Sequence, residues 1–310
     1  MRNFKINFLS NYFRKQGINK LLSEYNIKNN WAIVTGCTSG IGKSYSEILV
    51  RHGMNMILIA RNEEKLKFLQ ENLKSINENV ETMIIVWDFS KEEIYSNINL
   101  EKYLDLFSKI NIRLLINNVG ESSLGGDFIR EDLNKTKSMI NVNILSNIFM
   151  TKLFVRSQEI YNKTLVNHEQ NSKHGIINIS SYFGTRPVPG VTTYSSSKAF
   201  ITNLSECLMY ELPSSKERNF KIICLNPLFV RTNMVRKWKD SSLLVEPDDL
   251  VYCSFRKLGR NRLTVKSYGN WKHSFQAYVL KLIPNYIFSS YIYAFYKKQY
   301  EKLISRRKRH

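Results

Sequence analysis

Trp31-Ala32-Ile33-Val34-Thr35-Gly36-Cys37-Thr38-Ser39-Gly40-Ile41-Gly42 decides the fold. A short β-branched run ends in a glycine-rich turn, and helix-length sequence follows from about Ile41. Glycines at such a turn let backbone approach a ligand closely. The N–H groups that open the next helix lie at the positive end of its dipole and suit a pyrophosphate. The spacing is GxxxGxG rather than GxGxxG. Between the first strand and first helix of a βαβ unit it predicts a dinucleotide site built from Gly36, Thr38, Ser39, Gly40, Ile41 and Gly42.

Outward from this turn, apolar runs alternate with longer amphipathic stretches. The runs Trp31–Thr35, Met54–Ala60, Thr82–Trp87, Ile112–Asn117, Gly175–Ser180 and Phe220–Leu225 read as strands. Helices are predicted to start near Ile41, Glu63, Lys91, Asp132 and Thr193. Runs without polar alternation are what a parallel sheet covered on both faces requires. The predicted fold is therefore α/β, a single Rossmann-like doubly wound parallel sheet with helices on both faces. Ligands then bind at the carboxyl ends of the strands.

The second strand ends in Ile59-Ala60-Arg61-Asn62. A site for NAD usually places an acid here, to hold the ribose 2′-hydroxyl. Arg61 occupies the position instead, and its guanidinium suits a 2′-phosphate as a bidentate donor. The alternative is a solvated arginine at a helix start. The expectation is NADP(H) rather than NAD(H).

Tyr194 and Lys198 stand at i, i+4 on one helix face. A neighbouring cation stabilises phenolate and makes the tyrosine a usable general acid/base. The same spacing recurs at Tyr268/Lys272 and Tyr293/Lys297, so context must separate the pairs. Ser181 precedes Tyr194 by thirteen residues, at the end of a predicted strand, where its hydroxyl can donate to a substrate carbonyl. Asn143 lies within a long predicted helix and could kink it or hold a water beside Lys198. Asn141 is a rival for that role.

These motifs together resemble the short-chain dehydrogenase/reductase superfamily: TGxxxGIG at Thr35–Gly42, Asn117-Asn118-Val119-Gly120, Asn143, Ser181, and YxxxK at Tyr194/Lys198. The likeness covers about 31–235. It implies a catalytic tetrad of Asn143, Ser181, Tyr194 and Lys198. It also implies Asp88 at the adenine, and Asn117 and Gly120 in the motif that braces the central strand beside the cofactor. Pro227, Val230 and Thr232 match a PxxVxT segment that touches the nicotinamide carboxamide, although the usual Pro-Gly is Pro227-Leu228 here.

Narrower features are similar to the 17-beta-hydroxysteroid dehydrogenase and very-long-chain 3-oxoacyl-CoA reductase group. They are Gly40-Ile41-Gly42-Lys43-Ser44-Tyr45, His52-Gly53-Met54, Ile144-Leu145-Ser146, Arg186-Pro187-Val188-Pro189, and the spacing of Gly269 and Pro284. That resemblance implies NADPH-dependent reduction of a ketone on a lipophilic substrate, with Tyr194 as proton donor and a segment at 228–260 as substrate lid. Leu243, Leu244, Val245, Phe229, Trp238 and Tyr252 of the lid suit an apolar substrate, or else pack as core. The group also implies the cytosolic face of the endoplasmic reticulum membrane and, since many relatives are dimers or tetramers, an oligomer such as a homodimer.

Composition sets the remaining bounds. The 310 residues carry 46 Lys+Arg against 26 Asp+Glu, a net charge of +20, with 43% hydrophobic residues. Disorder and fibrous repeats are excluded. Cys37, Cys207, Cys224 and Cys253 are scattered without a CxxC pair, so neither a disulfide scaffold nor a metal site is expected. The charge sits at the ends. Residues 1–30 hold six basic side chains and one acid, residues 231–310 eighteen and five, and the body between them twenty-two and twenty. A nucleic-acid binder usually carries its basic face on the folded domain, so the near-neutral body argues against nucleic acid as partner. Basic, aromatic flanks suit an anionic membrane surface.

Residues 1–30 form a predicted basic amphipathic extension around Phe4, Phe8 and Tyr12, too polar to span; an ordinary packed helix is the alternative. Residues 31–270 form the predicted dehydrogenase/reductase domain. Residues 271–310 are an apolar aromatic segment and basic tail. Its most apolar part, 275–296, is interrupted by Lys281 and Pro284, which favours a bent interfacial segment, or a core helix and an anchor, over a simple span. A non-catalytic nucleotide-binding scaffold is the competing reading, and the intact tetrad argues against it.

Overall fold

The computed structural model describes residues 18–19, 21, 24–122, 125–164, 173–212, 219–232, 244–259 and 265–307. Most of the N-terminal extension, Trp238 and Leu243 of the expected lid, and the tail beyond 307 lie outside them.

Seven parallel strands form one sheet in the order β3-β2-β1-β4-β5-β6-β7. They are β1 Trp31–Thr35, β2 Asn55–Ala60, β3 Thr82–Val86, β4 Ile112–Asn117, β5 His174–Ile179, β6 Phe220–Leu225 and β7 Lys266–Ser267. The six expected strands are present with ends moved by a residue at β2, β3 and β5. The seventh was not read. It is two residues long and pairs Lys266 and Ser267 with Cys224 and Leu225, too short for any periodicity to register.

Successive residues of a strand point to opposite faces, and here both faces are apolar. Ala32 and Val34, Met56 and Leu58, and Leu114 and Ile116 pack into one layer. Helices α1 (Gly40–Arg51), α2 (Glu63–Ile76) and α7 (Pro247–Leu258) contribute to it. Ile33, Ile57, Ile59 and Leu115 pack into the other layer. There they meet α3 (Asn97–Phe107), α5 (Ser146–Thr164) and α6 (Thr192–Glu211). This double burial is why the strands read as unbroken apolar runs.

The helix expected near Lys91 opens instead as a 3-10 turn, Glu92–Tyr95, before α3 begins. Ser96 Oγ accepts a hydrogen bond from Asn99 N and starts the helix there. Helix α4 (Leu133–Ile140) continues through a π-helical turn at Asn141–Leu145 into α5. Among the described residues, this run from Leu133 to Thr164 is the one helix long and apolar enough to cross a membrane. Its apolar stretch is two thirds buried inside the fold, as a core helix lying along the sheet.

The C-terminal segment folds as α8 (Trp271–Lys281) and α9 (Asn285–Arg307), broken at Leu282-Ile283-Pro284. Proline cannot continue the helical ladder, and the carbonyls freed at the break need donors. Arg186 supplies them. Its guanidinium donates to Leu280 O at 2.7 Å, Ile283 O at 2.9 Å and Asn285 Oδ1 at 2.7 Å. It also lies 3.9 Å from the Phe288 ring centroid. The elbow is thereby fastened to the loop that follows β5.

Buried His174 gives the fold an acid limit. Its Nδ1 faces Ile112 O at 2.8 Å, and its ring stacks on Phe220 with centroids 5.0 Å apart. Burial pushes its pKa down to about 4. Unfolded chain therefore takes up this proton first as pH falls below about 6.5, and stability drops until about pH 4, by about 3 kcal/mol from this group. Urea midpoints measured between pH 4 and 7 should show this slope in the wild type, and His174→Gln should flatten it.

Candidate active site

The expected cleft opens at the carboxyl ends of the strands, between β1 and β4, where the strand order reverses. Its volume is about 550 Å³. The turn after β1 forms its floor. Gly36 takes φ +64°, a left-handed conformation that favours glycine. Asn118 Nδ2 donates to the carbonyls of both Thr35 and Gly36 at 3.0 Å. Thr35 Oγ1 in turn accepts from Asn118 N and Val119 N. The two strands are thus stitched together at the reversal point. No acid stands in the first turn of α1, and the side chain of Ser39 makes no capping hydrogen bond. A helix start of this kind leaves backbone N–H groups for an anion.

Most residues expected to hold a dinucleotide line this cleft: Gly36, Thr38, Ser39, Gly40, Ile41, Arg61, Asp88, Gly120, Tyr194, Lys198, Pro227, Val230 and Thr232. Two do not. Gly42 lies behind the turn, where a Cβ would stand 2.5 Å from both Asn118 Nδ2 and Gly36 O. Asn117 is buried, and its Nδ2 donates to Asn178 Oδ1 at 2.9 Å and Thr151 Oγ1 at 3.1 Å, tying β4 to β5 and α5. Both support the site from below rather than facing it.

At the end of β2, Asn62 Oδ1 accepts from Lys65 N and caps α2. This turn sets Lys65 beside Arg61 in the cleft wall. The next acid along the chain after Arg61, Glu63, pairs with Lys67 at 2.7 Å. Lys65 was missed in the sequence, although its spacing of four from Arg61 was there to be read. Trp87, Phe89 and Glu121 also line the cleft and carry no motif signal.

The four residues expected to form the tetrad come from three elements. Ser181 follows β5 and starts a 3-10 turn by accepting from Phe183 N at 3.2 Å. Tyr194 and Lys198 share one face of α6. Lys198 is buried, donates from Nζ to Ile179 O at 3.0 Å, and lies 5.9 Å from the Tyr194 ring centroid. Asn143 sits in the π-turn, one layer back. Its Oδ1 accepts from Glu121 N at 2.8 Å, and its Nδ2 donates to Glu121 O and Ser197 Oγ, both at 2.9 Å. A Cβ on Gly120 would meet Lys198 Nζ at 3.2 Å and Asn143 Oδ1 at 3.4 Å, so the two side chains converge over that glycine. Asn141 turns the other way and donates to Ser90 O. The structure thus separates the two rivals by position. Tyr293 of the recurring spacings is an exposed residue bonded to Asp127.

Burial pushes the Tyr194 phenol above its ordinary range, and a hydrogen bond with Ser181 pulls it partly back. Burial pushes Lys198 down to about 8. The expected depression of the phenol by Lys198 is not among the influences on Tyr194. The ammonium is turned to the Ile179 carbonyl instead.

A second group of residues was not legible at all. Tyr296 of α9 packs on the loops beside Tyr194: its atoms lie 2.7 to 2.8 Å from where a Cβ would stand on Gly190 and Gly125. Its phenol is pushed up to about 12 by burial and by Tyr194. Tyr194, Phe183, Leu228, Tyr268, Ile292 and Tyr296 pack around buried Tyr182, Val188 and Phe288 as one apolar cluster. Within the expected lid, Leu228, Val230 and Thr232 border the cleft. Val245 bridges Val230, and Tyr252 packs with α7 against the core on α1.

Comparison with known proteins agrees with this arrangement. Residues 30–242 match the family described as short chain dehydrogenase. The very-long-chain 3-oxoacyl-CoA reductase of Rattus norvegicus is 33% identical over 282 residues, which cover 90% of this chain and 83% of that one. The 17-beta-hydroxysteroid dehydrogenase type 3 of the same organism is 32% identical over 263 residues, covering 84% and 78%. Among solved structures, a 7beta-hydroxysteroid dehydrogenase superposes with a TM-score of 0.70 at 21% identity, covering 88% of this chain and 98% of its own. A short-chain dehydrogenase from Sphingobium yanoikuyae in complex with NADPH gives 0.64 at 22% identity, covering 81% and 92%. Motifs, sheet order and kinship converge: the chain belongs to the short-chain dehydrogenase/reductase family of oxidoreductases, in the group that holds the very-long-chain 3-oxoacyl-CoA reductases and the 17-beta-hydroxysteroid dehydrogenases.

Proposed function

We propose that this chain is an NADPH-dependent reductase that converts a ketone on a lipophilic substrate to a secondary alcohol. The substrate class is a very-long-chain 3-oxoacyl-CoA or a 17-oxosteroid. The site of action is the cytosolic surface of the endoplasmic reticulum membrane. The observation that carries the reading is the convergence of Ser181, Tyr194 and Lys198 on one cleft that also begins at an uncapped helix N-terminus.

The turn from Gly36 to Ile41 would hold the pyrophosphate, Arg61 and Lys65 the 2′-phosphate, and Lys198 the nicotinamide ribose. A bound nicotinamide cofactor supplies the hydride. Ser181 Oγ donates to the carbonyl oxygen and polarises it. Tyr194 Oη gives its proton to the oxygen as negative charge develops there, the point at which positioned donors contribute most. Lys198 and Asn143, converging over Gly120, return a proton to Tyr194 through water. Leu228 borders the cleft with Tyr194, and both pack on the apolar cluster of Tyr182, Val188 and Phe288, which favours an apolar substrate.

NADPH oxidation by membrane-bound and detergent-solubilised protein tests this, with long-chain 3-oxoacyl-CoA compared against estrone or androstenedione. Consumption with one class assigns the substrate; no consumption with either overturns the reading. Arg61→Ala and Lys65→Ala should each weaken NADPH about tenfold while leaving NADH unchanged, since each removes one exposed cation from a phosphate that NADH lacks. Fluorescence titration of both cofactors measures this.

A further inference from the structure

Helices α8 and α9 are apolar on both sides, and the fold covers only one. On the inner side His273, Ala277 and Phe288 are buried, and Arg186 clamps the break between the helices. On the outer side Trp271, Phe275, Tyr278, Leu282, Tyr286 and Tyr291 are each between 64% and 74% exposed. Isolated exposed apolar residues need no explanation, whereas six large ones on a single elbow do. From residue 271 to the C-terminus the chain carries nine basic side chains and a single acid, Glu301.

We propose that the outer face of the α8–α9 elbow is the surface on which the protein lies on an anionic lipid bilayer. The inference rests on the membrane reading above and adds to it the docking face and its lipid chemistry. Tryptophan and tyrosine rings with a polar edge settle at the headgroup level of a membrane. Lysines beside them keep their charge in water and meet lipid phosphates. Lys281, Lys297 and Lys298 are exposed on the same elbow, and Lys272 is half-buried next to Trp271. Lys281 and Pro284 interrupt the apolar stretch, which fits a segment lying in the interface rather than crossing it. A second copy of the chain suits the patch poorly, because it would set like charge against like charge.

Flotation of the full chain with phosphatidylcholine vesicles, with and without phosphatidylserine, tests the assignment. The wild type should float with the anionic vesicles, and less as salt is raised. Phe275→Ser/Tyr278→Ser/Tyr286→Ser should lose vesicle affinity at least about tenfold while keeping its melting temperature, because all three side chains are exposed. Brominated lipid should also quench the tryptophan emission of the wild type, and Trp271→Phe should remove that quenching. This second measurement keeps the fold intact. A triple variant that floats like the wild type overturns the elbow and moves docking elsewhere on the chain. A wild type that never floats overturns the membrane reading itself. Light scattering that shows a dimer lost in the triple variant, with flotation unchanged, assigns the face to a second copy instead.

Discussion

Tyr194→Phe should lower kcat by about 10²- to 10⁴-fold while NADPH binds as before. The substitution removes one hydroxyl and nothing else. The ring stays, and with it the packing against Tyr182, Val188 and Tyr296, so the cleft keeps its shape. What is lost is the proton for the developing alkoxide and the partner of the Ser181 hydroxyl. The direction of the phenol's shift matters here. Burial holds Tyr194 in its protonated form, which is the form reduction consumes. Oxidation of an alcohol needs phenolate and starts from the disfavoured form at neutral pH. Stopped-flow NADPH oxidation together with a fluorescence titration of NADPH separates chemistry from binding. Unchanged turnover would remove Tyr194 from the role.

The second large effect is expected at Gly42, which does not face the cleft. In Gly42→Ala the new methyl would lie 2.5 Å from Gly36 O and from Asn118 Nδ2. Those two atoms are hydrogen-bonded to each other at 3.0 Å, so the methyl forces apart the clip that joins β1 to β4. Overpacking of this kind costs about 1–3 kcal/mol. The backbone that would meet pyrophosphate moves with it, and NADPH affinity should fall at least about 100-fold. Thermal melts with and without NADPH read both effects: a lower midpoint, and loss of the rise that cofactor gives the wild type. A variant with the wild-type midpoint and the wild-type rise would show that the turn has room it does not display.

What could be read from the sequence follows the range of the interactions. The turn from Thr35 to Gly42, Ser181 and the Tyr194/Lys198 pair sit in local segments whose periodicity and spacing carry their own context. Of these, Gly36, Thr38 to Ile41, Ser181, Tyr194 and Lys198 line one cleft. Asn143 and Asn141 could not be separated, because two residues apart on a helix they look alike until the π-turn sends one to Glu121 and the other to Ser90. Lys65 was overlooked because its cleft position depends on the Asn62 cap. Gly42 was placed in the dinucleotide site, yet it backs the turn, against Gly36 O and Asn118 Nδ2; a motif marks that a residue is needed without saying which way it faces. Tyr296 had no local signal. It meets Gly125 and Gly190 from about a hundred residues or more along the chain, and only the elbow clamped by Arg186 brings it there.

Tyr296 also divides the molecule's labour along its length. Every side chain proposed for proton transfer is encoded by residue 198, whereas the ring that closes in on Tyr194 from the far side belongs to the last helix. Changes confined to the C-terminal quarter can therefore reshape the enclosure around an incoming carbonyl compound without touching the apparatus that reduces it. The same stretch of chain presents its opposite side to the surroundings, the side proposed above to meet the bilayer. With that docking, selectivity and address would share one segment, and a hybrid that borrows this segment from a relative would be expected to acquire both at once.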